Sequence, residues 1–237
     1  GGSVGALGVG AVTLAGGQAT VPAQSWSQAG AVRIFGSASY QGQSINPAGA
    51  GQQTILNPVL GRFSAHHFVV SPSSGCGAFT YSGQPFSSVT VTAMNAGSPP
   101  VKDVNYKGSF ARKLTLSDAN AFAGGSLKIS GGVAEILAAG FTTGEATVQP
   151  AYIFTLVNTV PTSIKIRATD TDGAVSSGET ASEIRSGRLW LGNAYGAEFL
   201  PLKVPAQSQY WATSGWRQNS ADSCTSLTMP TRQDTGN

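Results

Sequence analysis

The chain has 237 residues, enough to bury the core of one large β domain or of two small ones. Only 11% of them are Asp, Glu, Lys or Arg, against about 25% in an ordinary soluble domain. This low charge and a mean hydropathy of +0.00 exclude a charged disordered chain and a membrane-spanning helical protein. The 14 basic residues are scattered, so we predict no nucleic-acid binding despite the net charge of +3.

The N-terminal segment, residues 1–24, is dense in Gly and Ala. Small apolar residues recur along it, at Val4, Leu7, Val9, Val12 and Leu14. This composition fits a flexible linker, an added edge strand, or a tail that pairs with a neighbouring subunit. We therefore divide the chain into this linker or donated strand and a β domain over residues 25–237.

An alternation of apolar and polar side chains dominates the β domain and predicts half-buried strands. The side chains expected to face inward are Val32 and Ile34, then Val89, Val91 and Ala93, then Ile164, Ile166 and Ala168, and last Leu189 and Leu191. Turn clusters such as Asp170-Thr171-Asp172-Gly173 separate the strands. Short strands at this spacing predict an all-β fold, an antiparallel β-sandwich of the Ig-like kind.

Very little helix is expected, because glycines bracket the stretch Val133 to Ala139, which has some helical character. The length also allows two packed lobes instead of one sandwich. In that case we place the division near Gln149-Pro150.

The two cysteines, Cys76 and Cys224, lie far apart in sequence and form no C-x-x-C pair. We expect them to pair as a disulfide in an oxidising compartment, the alternative being two buried free thiols. A bridge closing so long a loop would stabilise the fold by roughly 3–5 kcal/mol on the chain-entropy model.

The inventory of acids and bases is poor for an enzyme. His66 and His67 are the only histidines, and adjacent strand residues point to opposite faces. No spacing identifies a nucleophile with its base, a carboxylate pair, a zinc site or a nucleotide-binding fingerprint. We therefore predict that the chain is not an enzyme.

The best metal candidate is the set Asp170, Asp172 and Glu179. Two Asp residues around a Gly turn can offer hard oxygen ligands to calcium, although the spacing falls short of an EF-hand loop. The alternative is a plain hairpin turn, since Asp-Gly is itself a turn signal. No other cofactor is expected.

Aromatic residues near the C-terminus form a candidate ligand-binding surface. Tyr210, Trp211 and Trp216 lie close together, with Trp190 and Tyr195 upstream. Exposed Trp and Tyr side chains grip sugar rings or protein partners. The alternative is that these rings are buried and close the sandwich.

Three blocks of sequence resemble the C-terminal region of the MshQ-like proteins, which are encoded with the mannose-sensitive haemagglutinin type IV pilus. They are Trp26 to Ile34 with Gly61 to Phe68, then Cys76 to Phe86 with Ala93-Met94-Asn95 and Asn105-Tyr106, and last Arg185 to Leu189 with Asn193 to Gly196, Gln209-Tyr210-Trp211 and Asp222 to Thr225. The resemblance implies a large secreted protein of the bacterial surface, without a defined catalytic residue. It also fits a structural disulfide between Cys76 and Cys224, because both lie inside these blocks.

We expect from this an extracellular structural or adhesive module of a type IV pilus-associated surface protein. Its partners would be other surface or pilus proteins or copies of itself. One alternative is a filament subunit joined by strand donation from residues 1–22, and another is a carbohydrate-binding module that contacts glycans through its tryptophans.

Overall fold

The computed structural model describes residues 15–18, 20, 25–33, 38–40, 43–45 and 59–228, of which 38–40 and 43–45 by their backbone alone. The first nine strands in these ranges are β1 Gly30–Arg33, β2 Ala38–Tyr40, β3 Gln43–Ile45, β4 Val59–Phe63, β5 His67–Ser73, β6 Phe79–Tyr81, β7 Ser88–Met94, β8 Leu114–Asp118 and β9 Gly125–Ile129. The others are β10 Gly132–Val133, β11 Glu135–Ile136, β12 Glu145–Val148, β13 Ala151–Phe154, β14 Thr162–Asp170, β15 Ala181–Arg185, β16 Gly187–Leu191, β17 Ala206–Ala212 and β18 Gly215–Gln218.

The all-β prediction is confirmed. Regular helix in the described ranges consists of two 3₁₀ turns, Gly108–Phe110 and Ala138–Gly140. The second overlaps the end of Val133 to Ala139, the stretch whose sequence has some helical character. No described helix is long and apolar enough to cross a lipid bilayer.

Two sheets form the sandwich. One has the strand order β12-β7-β5 and the other β11-β8-β14-β15-β6. Their pairings are antiparallel except that β6 runs parallel to β15, which the antiparallel prediction did not include. The chain reverses direction on the sandwich mainly through Gly- and Asp-containing turns, as the turn clusters predicted.

The core lies between these sheets, where the alternating apolar residues meet. Val89, Val91 and Ala93 on β7 are buried while Thr90 and Thr92 are not. The facing sheet buries Ile164, Ile166 and Ala168 on β14, as predicted. Further large side chains complete this core: Phe68, Phe86, Tyr106, Leu114, Phe141 and Ile184.

A third sheet, β10-β9-β13, adds to the same core. Leu127 on β9 and Tyr152 on β13 are buried in it. Ala146 precedes Gln149-Pro150 and Tyr152 follows it, and both belong to one cluster. The core therefore continues across the position where the sequence suggested a division into lobes.

The prediction that Leu189 and Leu191 face inward differs from the structure. Leu189 and Leu191 do alternate on a strand, β16, but their side chains are 46% and 47% exposed. The reason is that β16 belongs to a separate sheet, β16-β17-β18, and not to the sandwich. This C-terminal sheet carries the candidate site.

Candidate binding face on the C-terminal sheet

The register of the C-terminal sheet places its side chains on two opposite faces. Trp211 on β17 lies opposite Trp216 on β18, and Gln207 lies opposite Trp190 on β16. Directly opposed residues share a face, and alternate residues along a strand share it too. One face, here called the tryptophan face, therefore consists of Arg188, Trp190, Gln207, Gln209, Trp211, Trp216 and Gln218.

The aromatic part of the tryptophan face is an edge-to-face pair with a third indole beside it. The rings of Trp211 and Trp216 have centroids 5.5 Å apart and planes at 78°. Both side chains are half-buried, and Trp190 is 38% exposed. Because the indoles are neither fully buried nor free in solvent, each offers part of a ring to a ligand.

A row of hydrogen-bonding groups runs through the same face. The Arg188 Nε donates a hydrogen bond of 2.8 Å to Gln209 Oε1, and Gln209 Nε2 donates one of 3.2 Å to Gln207. The Arg188 guanidinium also lies over the Trp216 ring, 4.4 Å from its centroid. These contacts hold the amides and the guanidinium in place between the indoles, so the face combines apolar rings with positioned donors and acceptors.

The opposite face of the sheet packs against the sandwich at one end, around Gly187 and Tyr210. Gly187 lies on the Tyr81 ring so closely that an added Cβ would collide with it. The Arg185 guanidinium is 4.3 Å from the Phe79 centroid and 4.9 Å from that of Tyr210. Tyr210 therefore joins the sheet to the sandwich and does not belong to the tryptophan face.

Cys76 and Cys224 form the expected disulfide, with Cα atoms 5.3 Å apart. It links the loop before β6 to the segment after β18, 148 positions later in the sequence. No free cysteine exists in the described part of the chain. The bridge therefore fastens the C-terminal segment, and with it the sheet, to the sandwich.

Asp222 organises the same junction through both carboxylate oxygens. Its Oδ2 accepts hydrogen bonds from the Tyr81 hydroxyl at 2.9 Å and from the Thr225 hydroxyl at 2.6 Å. Its Oδ1 accepts from the backbone N–H groups of Cys224 and Thr225. Burial opposes ionisation, but the hydrogen bonds from Thr225, Ser208 and Cys224 outweigh it and hold the pKa of Asp222 well below its usual range.

The Tyr81 hydroxyl extends this network to the sheet. It accepts a hydrogen bond of 2.6 Å from Asn219, whose Oδ1 in turn accepts one of 2.7 Å from Arg185. Burial raises the pKa of Tyr81, so the hydroxyl keeps the proton that it donates to Asp222. Together with the disulfide, these bonds hold the C-terminal sheet at a fixed place on the sandwich.

The three predicted calcium ligands do not converge on one point. Asp170 is buried and accepts hydrogen bonds from the Tyr106 hydroxyl at 3.0 Å and from the N–H groups of Asp172 and Ala174. These bonds place Asp170 at the centre of the turn that follows β14. This arrangement is the plain hairpin turn that the sequence offered as the alternative to a calcium site. Asp172 is ion-paired with Arg62 and Arg112.

The third of these residues, Glu179, is committed to Arg167 and to the Ser176 hydroxyl. Among the described residues, the group of His, Cys, Asp or Glu side chains close enough to hold a metal is Cys76, Asp222 and Cys224. Two of its members are joined in the disulfide, so their sulfurs are not thiolate ligands.

His66 and His67 lie at the start of β5, with Nδ1 atoms 3.0 Å apart. Burial and the neighbouring His66 lower the pKa of His67.

Near them a cavity of about 460 Å³ is lined by Trp26, Ser64 and Asp103, among others. The Asp103 carboxylate accepts a hydrogen bond of 2.7 Å from the N–H of Ala29, so it holds the residue before β1 in place.

The structure places Trp211 and Trp216 together on one face and Tyr210 on the other, so the three predicted ligand-binding residues do not share one surface. Tyr210 and Trp211 are consecutive strand residues, so the alternation rule already assigned them to opposite faces. Trp190 joins this face because it lies opposite Gln207, and that pairing of β16 with β17 is not encoded by the local pattern. The proposed assembly residues Val4, Leu7, Val9, Val12 and Leu14 lie outside the described residues, so strand donation stays a prediction.

Two family models match the chain and together cover most of it. Residues 28–186 match the model described as DUF6701, third domain, and residues 185–236 match DUF6701, fourth domain. The two matches meet at Arg185-Ser186, where β15 of the sandwich is followed by β16 of the C-terminal sheet. No curated protein and no solved structure matched the chain.

Proposed function

We propose that the chain, which belongs to the DUF6701 family, is an adhesive module of a bacterial surface protein that binds carbohydrate through its tryptophan face. The observation that carries this proposal is the face itself. Three partly exposed indoles share one side of a three-stranded sheet with three glutamines and an arginine. The C–H groups of a sugar ring pack on indole, while its hydroxyls exchange hydrogen bonds with amides and guanidinium groups.

The attachment of the sheet supports an adhesive role. Its back is fixed to the sandwich by the Cys76–Cys224 disulfide, the Asp222 network and the packing of Gly187 on Tyr81. A binding face on a rigid support loses less conformational entropy when the ligand binds. The same attachment would carry a pulling force from the bound glycan into the sandwich.

The extracellular location is part of the proposal. A disulfide that closes so long a loop persists in oxidising compartments and is rare in the cytosol. The resemblance to the MshQ-like proteins adds the association with a type IV pilus, while the matched family models name no function. We propose neither catalysis nor a metal cofactor for this module.

The test is a glycan array probed with the whole purified chain, followed by calorimetry on any glycan that binds. We expect saturable binding to a limited set of glycans. Trp211→Ala and Trp190→Ala should each weaken it by about tenfold or more, as central aromatic contacts do. The matched control is Tyr195→Ala, which removes an almost fully exposed aromatic ring from the connection between β16 and β17.

Two results would reject carbohydrate binding. One is a folded chain that binds nothing across the array. The other is binding that survives both tryptophan substitutions but is lost with Tyr195→Ala.

A further inference from the structure

We propose that β16 pairs with β16 of a second copy of the chain, joining two C-terminal sheets into one six-stranded antiparallel sheet. The two strands meet with Leu189 at their centre. This inference concerns an interaction between copies and does not rest on carbohydrate binding.

The first argument is that β16 has an unpaired edge among the described residues. Its one partner there is β17. In this pairing the Trp211 N–H donates to Ser186 C=O at 3.0 Å and the Gly192 N–H donates to Pro205 C=O at 2.8 Å. Backbone groups alternate in direction along an antiparallel strand, so those of Gly187, Leu189 and Leu191 point away from β17.

The second argument is that β16 carries no lysine, proline or bulge at this edge, and its one charged residue is Arg188. Natural edge strands carry lysine, proline or a bulge that prevents pairing with another chain. Here the strand reads Gly-Arg-Leu-Trp-Leu, all five residues are exposed, and its register with β17 is regular. Beside it the connection to β17 exposes further apolar residues, namely Tyr195, Phe199, Leu200 and Leu202. On β16 itself Leu189 and Leu191 leave apolar side chains exposed beside the edge.

The third argument identifies a second copy as the partner, because β16 is complementary to itself. Two identical antiparallel strands related by a two-fold axis through Leu189 place Gly187 opposite Leu191, and Arg188 opposite Trp190. This register uses all five residues and forms two Arg–Trp contacts across the interface. A shift that centred the axis on Arg188 would place the two positive charges directly opposite each other, which is unfavourable.

The geometry has a consequence for the tryptophan face. The two-fold axis of an antiparallel strand pair is perpendicular to the sheet, so corresponding faces stay on the same side. Arg188 and Trp190 of one copy would contact Trp190 and Arg188 of the other on the tryptophan face. The dimer would therefore present both tryptophan faces as one continuous surface.

The oligomeric state of the full chain is the first test, measured by light scattering during size-exclusion chromatography over a range of concentrations. We expect a dimer. Leu189→Pro removes an N–H that points away from β17, so it should abolish the dimer and leave the β17 pairing intact. Leu191→Lys should act in the same way by placing a charge on the edge. Far-ultraviolet circular dichroism checks that both variants fold.

Two controls separate this interface from other associations. Leu156→Ser removes a leucine from the connection after β13 that is more exposed than Leu189, 72% against 46%, and should leave the dimer unchanged. Val9→Lys alters the N-terminal segment, so loss of association in this variant alone would assign it to strand donation and overturn the proposal. A chain that is monomeric at every concentration would overturn it too.

The register is tested by cysteine crosslinking. In the proposed pairing the two Leu189 Cα atoms are directly opposed at about 5.5 Å, within the range that a disulfide spans. Leu189→Cys should therefore give a covalent dimer under mild oxidation, whereas Trp190→Cys, which faces Arg188 of the other copy, should not. Peptide mapping confirms that the Cys76–Cys224 bridge is retained. Crosslinking by Trp190→Cys alone would contradict this register.

Discussion

The Tyr81 hydroxyl on β6 donates a hydrogen bond of 2.9 Å to Asp222, which lies 141 residues later in the chain. Because Asp222 precedes Cys224 by two residues, this bond and the disulfide act on the same segment. The matches to the third and fourth domains meet at Arg185-Ser186, so the junction joins the two domains. A covalent bond and a charged hydrogen-bond network therefore hold together two units that the sequence separates.

The disulfide should account for a measurable part of the stability. Cys76→Ser combined with Cys224→Ser should lower the free energy of unfolding by roughly 3–5 kcal/mol, because the unfolded chain gains the entropy of an open loop. Thermal unfolding with and without dithiothreitol measures the effect. The reductant should destabilise the natural chain and leave the double variant unchanged; equal midpoints for all samples would show that the bridge contributes nothing.

Acid should weaken the junction through Asp222. Its pKa in the folded protein lies below the ordinary value of 3.8, so the unfolded chain binds more protons as the pH falls through that region. The stabilisation from this carboxylate is present above that ordinary value and is lost as the pH falls below it towards the folded-state pKa. Urea unfolding of the natural chain and of Asp222→Asn from about pH 7 to about pH 3 measures this contribution.

We expect Asp222→Asn to be less stable at neutral pH and to lose less stability in acid than the natural chain. Glu135→Gln is a suitable control, because it removes from β11, at the opposite edge of the sheet from β6, a partly exposed carboxylate that pairs with Lys113. A similar change in acid sensitivity in both variants would mean that Asp222 has no special role.

Urea unfolding can also check which strand faces are buried and which are exposed. Ile166→Ala on β14 removes a buried side chain and should lower the free energy of unfolding by about 2–5 kcal/mol. Ile153→Ala on β13 removes a side chain that is 42% exposed and should change the free energy of unfolding much less, by about 0.5 kcal/mol. Comparable losses in urea unfolding would be inconsistent with the strand orientation described here.

Local pattern was enough to predict two strands of the sandwich, β7 and β14, and the side chains that they bury. In both strands apolar residues alternate with polar ones, threonines in β7 and basic residues and a threonine in β14. Because successive side chains of a strand point to opposite faces, this alternation indicates a strand with one buried face. The pairing of Cys76 with Cys224 was also predictable, because a chain with two cysteines has one possible intramolecular bridge.

The position of the C-terminal sheet was not predictable from the same pattern. Leu189 and Leu191 alternate like the core residues, and alternation does not say whether a packed sheet or solvent covers the apolar face. The parallel pairing of β6 with β15 joins residues about a hundred positions apart, which no local signal encodes. The acidic loop illustrates the same limit, since the composition of Asp170 to Gly173 could not show that Tyr106 and two arginines engage its carboxylates.

Close packing between Gly187 and Tyr81 gives a last test of how the sheet is attached. A methyl group at Gly187 would collide with the Tyr81 ring, so Gly187→Ala should displace the sheet or the ring and lower the free energy of unfolding by about 1–3 kcal/mol. Gly132→Ala is the matched control, because its added Cβ would be 3.6 Å from the nearest atom outside its own neighbours, an ordinary contact. Hydrogen exchange should show faster opening of β16–β18 in Gly187→Ala and unchanged protection of β7 and β14. Uniform loosening of the whole chain would instead mean that the sheet and the sandwich unfold as one cooperative unit.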